Sequence, residues 1–200
     1  MKSRTNVIDY KIASIENISY EEYLVFCDAL PELSQKISSL VFYKDKLRSA
    51  YAYYLTKEIA SKRLGCSIYD LEIDFTANFK PFFRDCLLHF NISHSDEYVA
   101  SAIDEHPLGI DIEKIVPFNI KDFDYVLTAD ELDYILAAPN ELEKQTRLCY
   151  VWTFKEAYQK MNGVQWMNYQ EISMFNNSHL FKRIHLQNYI VTICSPHLSL

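Results

Sequence analysis

Hydrophobic residues recur at helical spacing in the first third of the chain, and polar residues mark where the helices begin. Ser19-x-x-Glu22 is a capping box, in which two side chains satisfy backbone N–H groups at a helix N-terminus. It predicts a helix that stops before Pro31 and buries Tyr23, Leu24, Cys27 and Leu30. A longer helix is predicted from about Lys44 to Leu64, with a left-handed cap at Gly65 and one apolar face formed by Leu47, Tyr51, Leu55 and Ile59.

Two further helices are predicted in the second half of the chain. Thr128-x-x-Glu131 caps a short helix that ends near Pro139, and Asn140-x-x-Glu143 begins another that lasts to Asn162-Gly163.

Alternating apolar and polar residues predict two strand pairs. Residues 98–103 and 109–115 are predicted to form a hairpin, because residues 104–108 between them supply turn residues. Residues 172–175 and 189–193 are predicted to pair as antiparallel strands around Asn176-Asn177-Ser178. Helices followed by hairpins indicate the α+β class.

Composition supports a globular fold and narrows the chemistry. Of the 200 residues, 49% are hydrophobic and 24% are charged, which supplies a core without the excess charge of a disordered chain. The three glycines, Gly65, Gly109 and Gly163, lie too far apart to form a glycine-rich phosphate cradle. Any nucleotide must therefore be held by other groups.

Cysteines and hydropathy bear on the cellular compartment. The five cysteines are odd in number and never spaced as C-x-x-C, so neither a disulfide framework nor a zinc site is predicted. The first ten residues contain no apolar signal region, and no stretch approaches the ~18 apolar residues of a membrane helix. We expect a cytoplasmic protein with no membrane partner.

Charge is segregated along the chain, although the net charge is −7. Residues 44–63 contain six bases and two acids, whereas residues 104–143 contain eleven acids and two bases. The acidic total argues against a general nucleic-acid binder. One segment could hold an anion and the other a divalent cation, and two solvated faces of opposite sign remain the alternative.

The strand Gly109-Ile110-Asp111-Ile112-Glu113 places two carboxylates on one face, because side chains alternate along a strand. Carboxylates ~7 Å apart repel unless a cation lies between them, and their hard oxygens suit Mg²⁺. A half-buried strand with a solvated acidic face is the alternative.

The helix after Asn140 stacks Trp152, Glu156 and Lys160 at i, i+4 and i+8. Glu156 could be a third metal carboxylate, and Lys160 a cation for a phosphoryl oxygen or for proton transfer. The alternative is an exposed ion pair between these two residues. Likewise His94, on a short polar strand, and Lys80, in a loop, could each be structural.

Taken together, these segments resemble the signature series of the 4′-phosphopantetheinyl transferases, specifically the surfactin-synthetase type. The resemblance extends from about Phe42 to Gly163. It is carried, in family order and spacing, by Lys80-Pro81, Phe90-Asn91-Ile92-Ser93-His94-Ser95, Gly109-Ile110-Asp111-Ile112-Glu113 and Trp152-Thr153-Phe154-Lys155-Glu156-Ala157 with Lys160.

The resemblance implies a fold and a reaction. The fold would be a pseudo-dimer of two similar α+β halves, residues 1–105 and 106–200, with the active site between them and a monomer as the working unit. The reaction would transfer the 4′-phosphopantetheine group of coenzyme A to a serine of an apo acyl or peptidyl carrier protein, releasing adenosine 3′,5′-bisphosphate. The boundary near His106 follows from the resemblance and not from a linker.

The resemblance also implies residue roles. Asp111, Glu113 and Glu156 would bind Mg²⁺, or Mn²⁺ in its place, against the pyrophosphate of coenzyme A. Glu156 or a metal-bound water would take the serine proton, with Lys160 assisting the pyrophosphate or the leaving group. Six residues would contact coenzyme A: Ser93 and His94 at the 3′-phosphate and adenosine end, Lys44, Arg48 and Lys80 at the remaining phosphates, and Lys155.

The chain departs from the family pattern at three places. Phe79 precedes Lys80-Pro81 where the family usually has glycine, Ala52 replaces a helix glycine, and Gly163-Val164-Gln165-Trp166 replaces Gly-x-Gly-Leu. The last of these departures motivates an alternative, a non-catalytic descendant that binds coenzyme A or a carrier. A Mg²⁺-dependent nuclease is disfavoured, because the acidic segment would repel a phosphate chain.

Overall fold

A computed structural model describes residues 8–198, which form helices and three antiparallel sheets. The elements of the first half are β1 (Asp9–Ser14), α1 (Tyr20–Asp28), α2 (Ser34–Ser39), α3 (Tyr43–Leu64), β2 (Ile73–Phe75), β3 (Pro81–Phe83), β4 (His89–Ser95) and β5 (Tyr98–Asp104). The elements of the second half are β6 (Gly109–Lys114), α4 (Ala129–Leu136), α5 (Glu141–Asn162), β7 (Phe181–Leu186) and β8 (Tyr189–Cys194). The α+β prediction is confirmed.

The predicted helices are present because their end signals are local. The capping boxes that begin α1 and α4 both form, and α3 and α5 end at Gly65 (φ 69°) and Gly163 (φ 64°) in the left-handed region. One burial prediction was wrong: Leu24 of α1 is 48% exposed, and Phe26 is the residue of α1 that enters the core.

The predicted strand pairs were wrong. β5 and β6 do not form a hairpin, because they belong to different sheets, whose strand orders are β1-β5-β4 and β6-β8-β7. Residues 104–108 instead carry the chain from one sheet to the other. Residues 172–175 form no strand, and β8 pairs with β7 through a turn at Gln187-Asn188.

The two three-stranded sheets have the same topology. In each, the first strand in sequence lies antiparallel to the last, and the last also forms a hairpin with the strand before it. Each sheet packs against a helix of 22 residues, α3 or α5. The molecule therefore contains two similar α+β halves, as the resemblance implied.

Each half also contains a buried lysine–glutamate pair at the same place. Lys57 of α3 contacts Glu32, and Lys155 of α5 contacts Glu131, both at 2.7 Å. Each lysine lies eight residues before the glycine that ends its helix. Each glutamate also accepts a hydrogen bond from the backbone N–H of a later loop or strand residue, at 3.1 Å and 2.9 Å.

The halves meet where β4 borders β6. Asn91 of β4 accepts a hydrogen bond from the N–H of Ile110 at 2.9 Å, and the hydroxyl of Ser95 accepts one from the N–H of Lys114 at 3.2 Å. These side chains replace a backbone ladder between the two strands. We call this boundary the β4–β6 seam.

Glycine is required where β6 meets α5. A Cβ atom at Gly109 would lie 1.9 Å from the carbonyl oxygen of Ala157 and 2.6 Å from the backbone nitrogen of Met161. The missing side chain therefore lets β6 approach α5 closely, which brings the carboxylates of the strand within reach of Trp152 and Lys160 of the helix.

The thiols and the helices of the structure bear on the cysteine and membrane predictions. All five cysteines are free, and Cys149 and Cys194 are buried. Within residues 8–198, no helix combines the length and the apolar character needed to cross a bilayer.

Candidate functional site

β6 directs its two carboxylates to the β4–β6 seam, as the strand alternation predicts. Asp111 is buried and accepts a hydrogen bond from the hydroxyl of Ser93 at 2.8 Å. Glu113, which is partly exposed, accepts one from the hydroxyl of Ser95 at 3.0 Å. Two serines at alternate positions of β4 thus each donate a hydrogen bond to a carboxylate at an alternate position of β6.

α5 faces the same seam with the residues that stack at helical spacing. Lys160 Nζ donates to Asp111 Oδ1 at 2.7 Å. The lysine therefore pairs with the strand, whereas the alternative of an exposed ion pair required it to pair with Glu156. Trp152 Nε1 donates to Glu113 Oε1 at 3.3 Å. The helix therefore contacts both carboxylates of β6.

Burial controls the protonation of Asp111. It raises the pKa of this carboxyl to about 6, against the opposing charge of Lys160. The second oxygen, Oδ2, is buried and has no hydrogen-bond partner within the described part of the chain. Asp111 is therefore a buried acid with one oxygen that still needs a partner.

Tyr169 is a site residue that the sequence did not predict. Its hydroxyl donates to Glu156 Oε1 at 2.9 Å and also lies against Gln159 Oε1. Burial and the charge of Glu156 raise the pKa of this phenol above its usual range. Tyr169 lies in a short turn between polar residues, where no periodic pattern marks it.

A cavity of about 280 Å³ opens beside these residues and is lined by both halves. Lys80 enters it from the first half, and Glu156 and Lys160 enter it from the second. Lys80 Nζ donates to the carbonyl of Lys160 at 3.3 Å, and burial lowers the pKa of the Lys80 ammonium. The loop lysine is thus brought to the site.

The loop before Lys80 shows why one departure from the family pattern matters. Phe79 has φ 59°, in the left-handed region where glycine is favoured, and its side chain is 84% exposed. The strained aromatic residue projects into solvent beside the cavity.

The predicted basic pair of α3 lies at the turn after β4. Lys44 Nζ donates to Asp96 Oδ1 at 2.6 Å, Arg48 donates to the backbone carbonyl of Asp96 at 3.3 Å, and Lys114 Nζ donates to Asp96 Oδ2 at 2.6 Å. Hydrogen bonds from Lys114 and Lys44 hold the pKa of Asp96 well below its usual range. Burial and the nearby charge of Arg48 lower the pKa of His94. The Asp96 carboxylate is thus the counter-charge of Lys44 and Lys114, whereas Arg48 is paired with Asp45.

Lys155 does not reach the cavity, which corrects its expected role at coenzyme A. Its side chain is fully buried, and Nζ contacts Glu131 and donates to the carbonyls of Tyr169 and Ile172, each at 2.7 Å. These bonds leave the ammonium directed away from solvent and from the phosphates of any ligand in the cavity.

The three predicted metal ligands do not form a closed cluster. Among residues 8–198, no three His, Cys, Asp or Glu side chains are grouped closely enough to hold an ion by themselves. Mg²⁺ usually takes only one or two carboxylates and completes its shell with water and substrate phosphates. The hard oxygens of Asp111, Glu113 and Glu156, and the unpartnered Oδ2 of Asp111, fit that mode.

A second cavity, of about 460 Å³, is lined by Glu113 and Trp152. Phe118, Phe123 and Tyr125 contribute to its mainly apolar wall. The second half therefore has a mainly apolar cavity next to Glu113 of the seam.

The fold and site together define a class: an α+β protein of two similar halves, with acidic and basic side chains assembled where the halves meet. Two family models match the chain, the N-terminal domain of 4′-phosphopantetheinyl transferases over residues 17–106 and the 4′-phosphopantetheinyl transferase superfamily over residues 107–195.

Individual relatives agree with the family models. The chain is 31% identical over 123 residues to 4′-phosphopantetheinyl transferase psf-1 of Bacillus pumilus, covering 61% of this chain and 52% of that protein. It is 28% identical over 158 residues to 4′-phosphopantetheinyl transferase Sfp of Bacillus subtilis, and 30% identical over 179 residues to 4′-phosphopantetheinyl transferase pptA of Paxillus involutus. Each of these two alignments covers 78% of this chain and 67% of the relative.

The chain belongs to the 4′-phosphopantetheinyl transferase superfamily, and the resemblance seen in its motifs is confirmed. It spans about half the length of the first of these relatives.

Proposed function

We propose that this protein transfers the 4′-phosphopantetheine group of coenzyme A to a serine hydroxyl of an apo acyl or peptidyl carrier protein. The observation that carries the proposal is the bond from Lys160 to Asp111 at the β4–β6 seam, beside a cavity that Lys160 lines together with Glu156, in a chain whose relatives are named 4′-phosphopantetheinyl transferases. Adenosine 3′,5′-bisphosphate is the second product.

Coenzyme A would bind across the seam. Its phosphates need cations, and Lys44, Arg48 and Lys80 supply them beside Ser93 and His94. Lys44 would exchange Asp96 for a phosphate, and Lys114, which also contacts the Asp96 carboxylate at 2.6 Å, would stay with it. The lowered pKa of His94 makes the imidazole a neutral hydrogen-bonding partner at neutral pH.

Asp111, Glu113 and Glu156 would hold Mg²⁺, or Mn²⁺ in its place, against the pyrophosphate. The bound ion would neutralise the pyrophosphate and stabilise the charge that develops at the transferred phosphorus. Lys160 holds Asp111 in place through the 2.7 Å bond to Oδ1, which leaves Oδ2 directed elsewhere.

Transfer forms a bond between the serine oxygen and the β-phosphorus and breaks the bond from that phosphorus to the bridging oxygen of the pyrophosphate. The serine proton must leave as the oxygen attacks, and the partly exposed carboxylate of Glu156, which lines the cavity, would accept it directly or through a metal-bound water. Lys160 Nζ lies beside the same cavity and would donate to the pyrophosphate or to the departing phosphate.

We further propose that one chain is a complete working unit, with halves 1–105 and 106–200, and that it acts in the cytoplasm. Support for the unit comes from the seam, to which both halves contribute side chains. Support for the compartment comes from five free thiols, which suit a reducing environment.

The test is to incubate the protein with coenzyme A, Mg²⁺ and a panel of apo carrier proteins, and to measure carrier mass. One phosphopantetheine should be added to a carrier, and Asp111→Ala should abolish the addition. Glu141→Ala, which removes an exposed acid from the start of α5, is the matched control and should behave as the parent.

Failure of every carrier to gain mass, or an unaffected Asp111→Ala variant, would contradict the proposal. Calorimetry that shows tight binding of coenzyme A without turnover would instead favour the non-catalytic alternative.

A further inference from the structure

The turn after α5 returns to the site through Tyr169. Its backbone carbonyl accepts a hydrogen bond from Lys155 Nζ at 2.7 Å, and the carbonyl of Ile172, three residues later, accepts another at the same distance. Asn168 caps the turn by accepting a hydrogen bond from the backbone N–H of Gln170. A single ammonium group therefore fixes both ends of the segment that carries Tyr169.

Lys155 is itself held rigidly. Its partner Glu131 is fully buried and also accepts hydrogen bonds from the N–H groups of Thr128, at 3.0 Å, and Met174, at 2.9 Å. The pair ties together α4, α5 and the chain on both sides of the turn. Such an anchor leaves the position of Tyr169 little freedom.

The Tyr169 side chain points from this anchor to Glu156. Its hydroxyl donates to Glu156 Oε1 at 2.9 Å, and its ring meets that of Trp152 edge to face at 6.3 Å. Trp152 in turn donates to Glu113. Two aromatic residues in contact thus each supply one hydrogen bond to a different candidate metal carboxylate.

These donors are neutral, which distinguishes them from Lys160. An ammonium cancels much of the charge of the carboxylate that it contacts, as Lys160 does at Asp111, whereas a phenol or an indole orients a carboxylate and leaves its negative charge for a cation. The donors therefore have two different roles. Lys160 balances the negative charge of the buried Asp111, whereas Trp152 and Tyr169 orient the more exposed carboxylates of Glu113 and Glu156.

We propose that Tyr169 is a positioning residue that orients the Glu156 carboxylate toward a divalent cation, and that Lys155 and Glu131 serve to hold it there. The inference rests on the proposed function for the identity of the cation's partner, coenzyme A. It assigns Lys155 an indirect role, through the turn, in place of contact with coenzyme A.

The test uses Tyr169→Phe in the full chain, which keeps the ring against Trp152 and removes the hydroxyl. Tyr69→Phe is the matched control, because the Tyr69 hydroxyl also donates to a carboxylate, Asp28, at 3.1 Å, on the first half of the molecule. Mn²⁺ binding is measured by electron paramagnetic resonance with coenzyme A present, and the Mg²⁺ concentration for half-maximal transfer is measured separately.

Tyr169→Phe should raise the Mn²⁺ dissociation constant about 10-fold, the usual effect of losing a hydrogen bond to a metal ligand. The Mg²⁺ requirement should rise in parallel, while the KM for the carrier stays at the parental value. Tyr69→Phe should change none of these. Parental Mn²⁺ affinity in a folded Tyr169→Phe protein would overturn the inference.

Circular dichroism checks the fold of the variant. If Tyr169→Phe does not fold, Gln170→Ala takes its place, because Gln170 ties the same turn to the carbonyl of Asp124 at 2.8 Å from an exposed position. It should raise the Mn²⁺ dissociation constant in the same direction by a smaller factor, and no rise would overturn the inference.

The two proposals fail separately. A parent protein that modifies no carrier but loses Mn²⁺ affinity on Tyr169→Phe would contradict the function and support the positioning role. A parent that modifies a carrier and is unchanged by Tyr169→Phe would do the reverse. Absence of Mn²⁺ binding by the parent would contradict the positioning role directly.

Discussion

The buried pair of Lys155 and Glu131 can be tested by removing one charge at a time. Lys155→Met replaces the ammonium with an apolar side chain of similar length and leaves the Glu131 carboxylate fully buried without its cation. Breaking one partner of a buried pair costs about 3–5 kcal/mol of unfolding free energy, because an uncompensated charge remains inside. For a domain of this size, that loss lowers the melting temperature by ~10 °C.

A second substitution tests the reason for the loss. Glu131→Gln keeps an oxygen that accepts the N–H groups of Thr128 and Met174 and removes the negative charge. Lys155→Met with Glu131→Gln should therefore be more stable than Lys155→Met alone, by ~2 kcal/mol. Urea unfolding followed by circular dichroism at constant pH measures all four members of the cycle.

The same cycle distinguishes a structural lysine from one that binds coenzyme A. Because Lys155 is directed away from the cavity, calorimetry without metal should give the parental affinity for coenzyme A in the folded variant. The reasoning would be refuted by a Lys155→Met protein that loses less than ~1 kcal/mol and binds coenzyme A at least ~10-fold more weakly, because the stability loss would be too small for a broken buried pair and the weaker binding would indicate direct contact with coenzyme A.

Two other changes have defined outcomes. Gly109→Ala places a Cβ atom 1.9 Å from the carbonyl oxygen of Ala157, so β6 must move away from α5, and urea unfolding should show a loss of about 3 kcal/mol or more; an unchanged midpoint would contradict the close approach. The raised pKa of Asp111, about 6 against 3.8, means that the folded state binds its proton more tightly than the unfolded state. Stability from this group is therefore lost as pH rises from about 4 to about 6, by up to ~3 kcal/mol. Relative to the parent, Asp111→Asn should gain about that much over this range in metal-free urea titrations, and a difference independent of pH would contradict the shift.

Helix boundaries could be predicted because their signals lie within a few residues. Ser19, Thr128 and Asn140 accept hydrogen bonds from N–H groups three positions later, and Gly65 and Gly163 adopt the left-handed conformation that a helix end needs. Strand partners could not be predicted in the same way. The turn residues between β5 and β6 are compatible with a hairpin, but pairing is decided by which distant strand completes each sheet.

In the candidate site too, features set within a single element could be predicted, and contacts between elements could not. Strand alternation placed Asp111 and Glu113 on one face, and helical spacing stacked Glu156 with Lys160, because both are properties of single elements. Which cation pairs with which acid depends on contacts between elements, so the bond from Lys160 to Asp111 and the burial of Lys155 became visible only in the structure. Tyr169 carries no local signal and was missed.

The two similar halves carry different residues at matching strand positions. Three residues after the tyrosine that begins each central strand, Ser101 of β5 pairs with Lys11, and Thr192 of β8 pairs with Asp111. An ammonium in the first half thus occupies the strand position that holds a buried carboxylate in the second. By the same register, Ala13 takes the position of Glu113.

The two long helices carry the same charged residues at matching positions but pair them differently. Glu58 follows Lys57 as Glu156 follows Lys155, and Lys62 lies where Lys160 would. In the first half, however, Glu58 contacts Lys11 at 2.7 Å and Lys62 at 2.5 Å, so its charge is already balanced by two side chains. The acid of the first half is therefore neutralised by side chains of the same half, whereas the second half has an excess of acid that a cation from outside can balance.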